Sequence, residues 1–294
     1  MSARVIAGSD GWLFYDRGYR VGYVPAMGMD ADGAPEESGR WAAGLRASRA
    51  EAQRAGAEFY VLFGPLAETI YPEKLPTWVP AQRRSTGVDS ILSAVDVDAA
   101  RSVLDVRGIL LRNKEAQFPV YSPFETHWTG YGAYLAYVEL IDRIRERQPW
   151  IGRALQLERF ERATLAPDYE PGNLALMLGI ASFVDVRFPV FKPPAHPERR
   201  VERLSSVRTD WSAPTVVTTG TRNGRTLLLV RDSFSLMLSP LLEPHFERLV
   251  MSHLEDGFFR PDLISRYRPD VIVTEVIESG LKFVMQPRED KSLD

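Results

Sequence analysis

Ser233, His127 and Glu125 are of the residue types that together perform covalent acyl transfer. A serine hydroxyl becomes nucleophilic when a base takes its proton. An imidazole does this best when a carboxylate fixes its tautomer and stabilises its cation. Ser233 lies in Arg231-Asp-Ser-Phe-Ser235, directly after the apolar run Thr226-Leu-Leu-Leu-Val230 and before the apolar segment Leu236 to Leu242. The pattern predicts a buried strand, a turn and a helix. A serine at such a turn presents its hydroxyl at the sheet edge, beside helix-start amides that hold an anion. The same position also suits a serine that only caps the helix. Of the four histidines, His127 sits in a loop between aromatic residues, His196 in a proline loop and His245 near a helix end. His253, after a short strand, is the rival base. Glu125 precedes His127 by two residues, and in extended chain such residues project to one side. Asp232 is a second acid in reach of the same role. Arg231 and Asn173 are candidates for holding a substrate anion, an oxyanion or a sugar hydroxyl, and Tyr71 for lining the cleft. Each also has a plain structural use: pairing with Asp232, forming a turn, and packing.

Strands and helices must alternate to place these side chains, and the sequence predicts that they do. Apolar runs predict strands at 12–15, 59–63, 102–106, 226–230, 248–251 and 270–274. Helical composition or spacing predicts helices at 41–55, 88–95, 109–116, 131–147, 235–243 and 261–267, with a short one at 174–178. Residues 26–40 read as a loop, as do 71–76 and 124–128, and the charged tail from Pro287 as frayed. Between about 157 and 225 the alternation breaks. Phe183 to Phe188 and Val201 to Val207 look like antiparallel strands within an insertion. The expectation is one α/β domain over 1–294, with a mainly parallel sheet covered on both faces.

The chain has 294 residues, a formal net charge of −3, 45% hydrophobic and 26% charged residues. Without a basic run, nothing points to nucleic acid. There is no cysteine, which excludes disulfides, thiolate nucleophiles and cysteine-ligated metals. No histidine pair has metal-ligand spacing, and no glycine-rich phosphate loop occurs, so neither metal nor nucleotide is expected. No apolar stretch reaches the roughly 18–20 residues of a membrane span. Met1 to Asp10 has no basic-then-apolar pattern. The expectation is a cytoplasmic protein if Met1 is the natural start, and a periplasmic or extracytoplasmic one if a leader was removed.

Six segments in order carry a resemblance. They are Gly8-Ser-Asp-Gly-Trp-Leu-Phe14; Ile70-Tyr-Pro-Glu-Lys-Leu-Pro76; Glu125-Thr-His-Trp-Thr129 with Gly132-Ala-Tyr134; Gly172-Asn-Leu-Ala-Leu-Met-Leu178; Arg231-Asp-Ser-Phe-Ser235; and Arg268-Pro-Asp-Val-Ile272 with Glu275 and Glu278. Together they resemble the AlgJ/AlgX-like SGNH-type O-acetyltransferase family, which acetylates alginate. The resemblance implies a flavodoxin-like three-layer α/β/α sandwich with the serine after the acid and histidine, the reverse of the usual SGNH order. It implies Ser233 as nucleophile, His127 as base and Glu125 as the acid. It implies an acyl-enzyme, with the Ser233 amide and Asn173 at the oxyanion. The partners implied are an acyl donor and a hydroxyl of a carbohydrate or glycosylated metabolite; if the protein is cytoplasmic, the compartment points to acetyl-CoA or another acyl thioester as the donor. No cofactor is expected. The chain departs from the family pattern at three places: Glu125 replaces an aspartate, Arg231 a glycine, and Pro65-Leu-Ala-Glu68 a lysine-bearing loop. Two other readings share these residues, an SGNH esterase with water as acceptor and a weakened carbohydrate-binding relative.

Overall fold

A computed structural model describes residues 4–16, 34–79, 86–164 and 172–281. In chain order the strands are β1 (Val5–Ala7), β2 (Leu13–Tyr15), β3 (Glu58–Gly64), β4 (Val103–Asp105), β5 (Glu161–Ala163), β6 (Val190–Lys192), β7 (Arg200–Arg203), β8 (Thr215–Thr218), β9 (Thr226–Arg231), β10 (Arg248–His253) and β11 (Val271–Ile277). The helices are α1 (Ala34–Arg54), α2 (Ala67–Ile70), α3 (Gly87–Ala94), α4 (Val97–Ala100), α5 (Arg107–Arg112), α6 (Gly130–Arg145), α7 (Asn173–Leu178), α8 (Ser235–Leu242) and α9 (Pro261–Tyr267).

The central sheet has the order β4-β3-β11-β9-β10-β8-β7. Its first five strands run parallel, and β8 and β7 add to the β10 edge antiparallel. β3, β9 and β11 are rich in apolar residues because both faces are covered, with Thr274 and Glu275 the buried exceptions inside β11. Leu227, Leu229, Val271 and Val273 pack into one core with α6 and α8. Leu228, Val230, Ile272 and Val276 pack into another with Trp41 and Leu45 of α1, Val88 of α3 and Leu263 of α9. The result is the expected three-layer α/β/α sandwich.

Several local expectations change. The helix α1 begins at Ala34, inside the segment 26–40 read as loop; residues 26–33 lie outside the described ones, as does the tail from Pro287. α5 stops at Arg112 rather than Ala116, and Asn113 folds its amide back onto the Ile109 carbonyl at 2.8 Å. Phe183 to Phe188 is not a strand: Asp185 accepts bonds from the backbone and guanidinium of Arg187, closing a local turn. The strand lies just beyond, at β6, paired with β5. Val201 belongs to β7, whose partner β8 went unread in the sequence.

Candidate active site

The nucleophile turn is the first part of the site. β9 pairs with β11 only as far as Val230–Thr274, whereas β11 runs on beside β3 to Ile277–Gly64. Beyond Val230 the strands part, and side chains replace the ladder. The Asp232 amide donates to Glu275 Oε2 at 3.3 Å, and the Ser235 hydroxyl donates to the same oxygen at 3.1 Å. Asp232 returns the link, accepting from the amides of Phe234 at 2.9 Å and Ile277 at 2.7 Å. Glu275 is fully buried. Burial, with the Asp232 charge beside it, raises its carboxyl well above the usual range. A side chain at Gly64 would come 3.0 Å from Phe234 and 3.1 Å from Glu275, so a Cβ there would press both by a few tenths of an ångström. Glu278, three residues on, accepts from the Leu66 amide at 3.1 Å and the Thr69 hydroxyl at 2.6 Å. Burial raises its carboxyl to about 7.

Ser233 Oγ lies 2.8 Å from His127 Nε2, and His127 Nδ1 lies 2.7 Å from Glu125 Oε1. The network assigns the proton to Nδ1, which donates to the carboxylate and leaves Nε2 free to accept from the serine. Two contacts seat the histidine loop over the turn: the Trp128 indole donates to the Phe234 carbonyl at 2.9 Å, and the His127 and Phe234 rings pack 5.1 Å apart. The Thr129 hydroxyl caps α6 through the Gly132 amide at 3.2 Å and fixes where the loop ends.

Glu125 is buried and saturated with donors. Its Oε1 accepts from the Thr126 amide at 2.8 Å, and its Oε2 from the amides of Gly172 at 2.8 Å and Asn173 at 3.2 Å. Gly172 reaches this bond from φ +75°, and a Cβ there would meet Val186 at 2.5 Å. Left-handed backbone and lack of room both require glycine.

The remaining candidates take different places from those expected. Asn173 is not a free oxyanion donor: its carboxamide accepts from the Thr126 amide at 3.1 Å and donates to the Thr126 hydroxyl at 2.6 Å. It belongs to the acid's support. Asp232 is not the histidine's acid, because its oxygens are engaged with the turn and β11. Arg231 does not pair with Asp232 within ion-pair distance. Its side chain is buried, and Nη2 donates to the Trp211 carbonyl at 2.5 Å. Tyr71 is a packing residue, stacked on Trp12 at 4.4 Å, with its hydroxyl donating to the Lys114 carbonyl at 3.2 Å. His253 accepts the Glu255 amide through Nδ1 at 3.1 Å, and His245 is buried against Tyr137. Thr126, Gly172 and Glu275 entered the sequence reading only as parts of the resembling segments, with no role given to them, and Trp211 did not enter it.

Among the described residues no acceptor takes the Ser233 amide. The arrangement can therefore move the serine proton to an imidazole backed by a carboxylate, and offers a free amide beside the hydroxyl.

Comparison with known proteins agrees with this architecture. The family model "SGNH hydrolase-like domain, acetyltransferase AlgX" matches residues 5–261. The probable alginate O-acetylase AlgJ of Pseudomonas fluorescens is 26% identical over 207 residues, 70% of this chain and 48% of that protein, so the chain spans about half the relative's length. The structure of Bacillus cereus PatB1 with a sulfonyl adduct has a TM-score of 0.68 at 14% identity, covering 96% of this chain and 98% of that one. The O-acetyltransferase domain of Pseudomonas putida AlgJ has a TM-score of 0.57 at 18% identity, covering 99% and 95%. The chain belongs to the SGNH hydrolase-like acetyltransferase family of AlgJ and AlgX.

Proposed function

We propose that this protein transfers an acetyl group to a carbohydrate hydroxyl through an acyl-enzyme on Ser233, with alginate the first acceptor to test, as the name of its AlgJ relative indicates. The observation that carries the reading is the unbroken line Ser233–His127–Glu125, with contacts of 2.8 and 2.7 Å. Ser233 Oγ attacks the carbonyl carbon of an acyl ester or thioester while His127 Nε2 takes its proton. The oxyanion that forms is stabilised by the Ser233 amide. Collapse breaks the bond to the donor's alcohol or thiol, which leaves with the proton from His127. An acceptor hydroxyl then gives its proton to His127 and attacks the acyl-enzyme, and its collapse returns the ester product and a protonated Ser233. Glu125 holds the tautomer and balances the imidazolium in both halves.

Incubation with an activated acetyl ester, followed by intact-mass measurement, tests this directly. The wild type gains one acetyl group, Ser233→Ala gains none, and His127→Ala acylates orders of magnitude more slowly. A wild type that neither acylates nor turns over overturns the proposal. Acetylation that persists in Ser233→Ala overturns the serine. Rapid loss of the acetyl group to water, unchanged by oligosaccharide, turns the reading to an esterase.

A further inference from the structure

We infer that Trp211 is a stacking platform for a pyranose ring of the acceptor, an inference that rests on the carbohydrate reading above. Trp211 lies between β7 and β8, and 40% of it remains exposed. Its underside is built. The guanidinium of Arg231, itself 6% exposed, sits 5.6 Å from the indole centre. The His253 ring meets it edge-on at 5.1 Å. Arg231 also holds the Trp211 carbonyl, so backbone and ring are fixed by one side chain. The flanking chain is pinned as well: the Ser212 amide donates to Asp210 at 2.9 Å, and Arg208 donates to the Ser212 carbonyl at 3.3 Å while pairing with Asp256.

Arg231 and His253 are paired residues at the carboxyl ends of β9 and β10. Ser233 follows Arg231 by two residues, and two residues of chain span at most about 7 Å. The indole therefore lies against residues at the carboxyl ends of β9 and β10, the end of the parallel sheet from which the Ser233 turn leaves and where substrates bind. A pyranose ring has an apolar C–H face. Laid on an indole, that face is removed from water against a ring whose own face carries the negative end of the quadrupole. A ring already fixed from below loses little side-chain freedom on binding. If the indole only covered the buried Arg231, an aliphatic side chain would do as well, and the test uses that difference.

Wild type, Trp211→Phe and Trp211→Leu are compared with an activated acetyl ester as donor and a soluble alginate oligosaccharide as acceptor. Acyl-enzyme formation is measured by intact mass in each preparation, and transfer is expressed relative to it. The acceptor concentration for half-maximal transfer should rise about tenfold or more in Trp211→Leu, which covers Arg231 but offers no flat ring. It should rise much less in Trp211→Phe. The oligosaccharide should also change the fluorescence of the wild type and not that of Trp211→Phe, a reading that survives if the leucine variant fails to fold. An acceptor dependence in Trp211→Leu equal to wild type, or the same fluorescence change in Trp211→Phe, overturns the platform. A wild type that forms no acyl-enzyme, or forms one and passes acetyl to no oligosaccharide, overturns the proposed function instead.

Discussion

Glu125 is one methylene longer than the aspartate of the family pattern it resembles, and the extra reach is absorbed by what surrounds it. One carboxylate oxygen meets His127, while the other extends to the amides of Gly172 and Asn173. The side chain thus does two things, orienting an imidazole and tying the histidine loop to α7. Substitutions should separate them. Glu125→Gln keeps the shape but presents the wrong partner to Nδ1–H if its amide nitrogen faces the ring, and turnover should fall by roughly 10²–10⁴ while the fold persists. Glu125→Ala additionally strands buried amides, each worth about 1–3 kcal/mol, so its melting temperature should fall as well. Steady-state rates alongside thermal melts check both. Equal melting temperatures for the two variants would count against the tie to α7.

The elements that hold the site differ in how openly the sequence declares them. Gly172→Ala forces a Cβ into left-handed backbone against Val186, and should lower both stability and turnover, read by melting and rate. Glu275→Gln keeps an acceptor for the Asp232 amide and the Ser235 hydroxyl, so most turnover should remain. Glu275→Leu removes that acceptor and should cost about tenfold or more, with the loss appearing in kcat. The strands β3, β9 and β11 were legible because burial on both faces leaves mostly apolar residues, and α1 because Trp41, Leu45 and Ala52 recur at helical spacing. The antiparallel strand expected from Val201 is β7, but it ends at Arg203 rather than Val207, because all its residues are exposed and its extent is set by pairing with β8. At the site, Ser233, His127 and Glu125 were legible because their signals are local: a strand end, and a spacing of two. For Asn173, Arg231 and Tyr71 the sequence left a site role and a structural one both open, because residue type states what a group can bond to, not what the fold brings to it. Thr126 claims the Asn173 amide across 47 residues of sequence.

For the whole molecule, Glu278 links pH to stability. Burial raises its carboxyl from the ordinary 4.5 to about 7. The folded state therefore binds a proton that the unfolded chain has released between those values. Its contribution is fully present below about 4.5 and is lost as pH rises through about 7. At roughly 1.4 kcal/mol per tenfold change in proton affinity, the loss is of order 3 kcal/mol. Glu278→Gln accepts the same two bonds without ionising, so denaturant unfolding should show a flatter decline from pH 5 to 8 than in wild type. An identical slope would refute the assignment. β11, which carries Glu275 and leads directly into Glu278, sits between β3 and β9 although it is made after both. During synthesis the ribosome must deliver the acid, the histidine and the serine before the strand that locks their turns exists. A chain stopped between residues 234 and 270 carries Glu125, His127 and Ser233 but lacks the centre of the sheet. The turn around Ser233 thus gains its bonds to Glu275 and to the Ile277 amide only when the last described strand inserts.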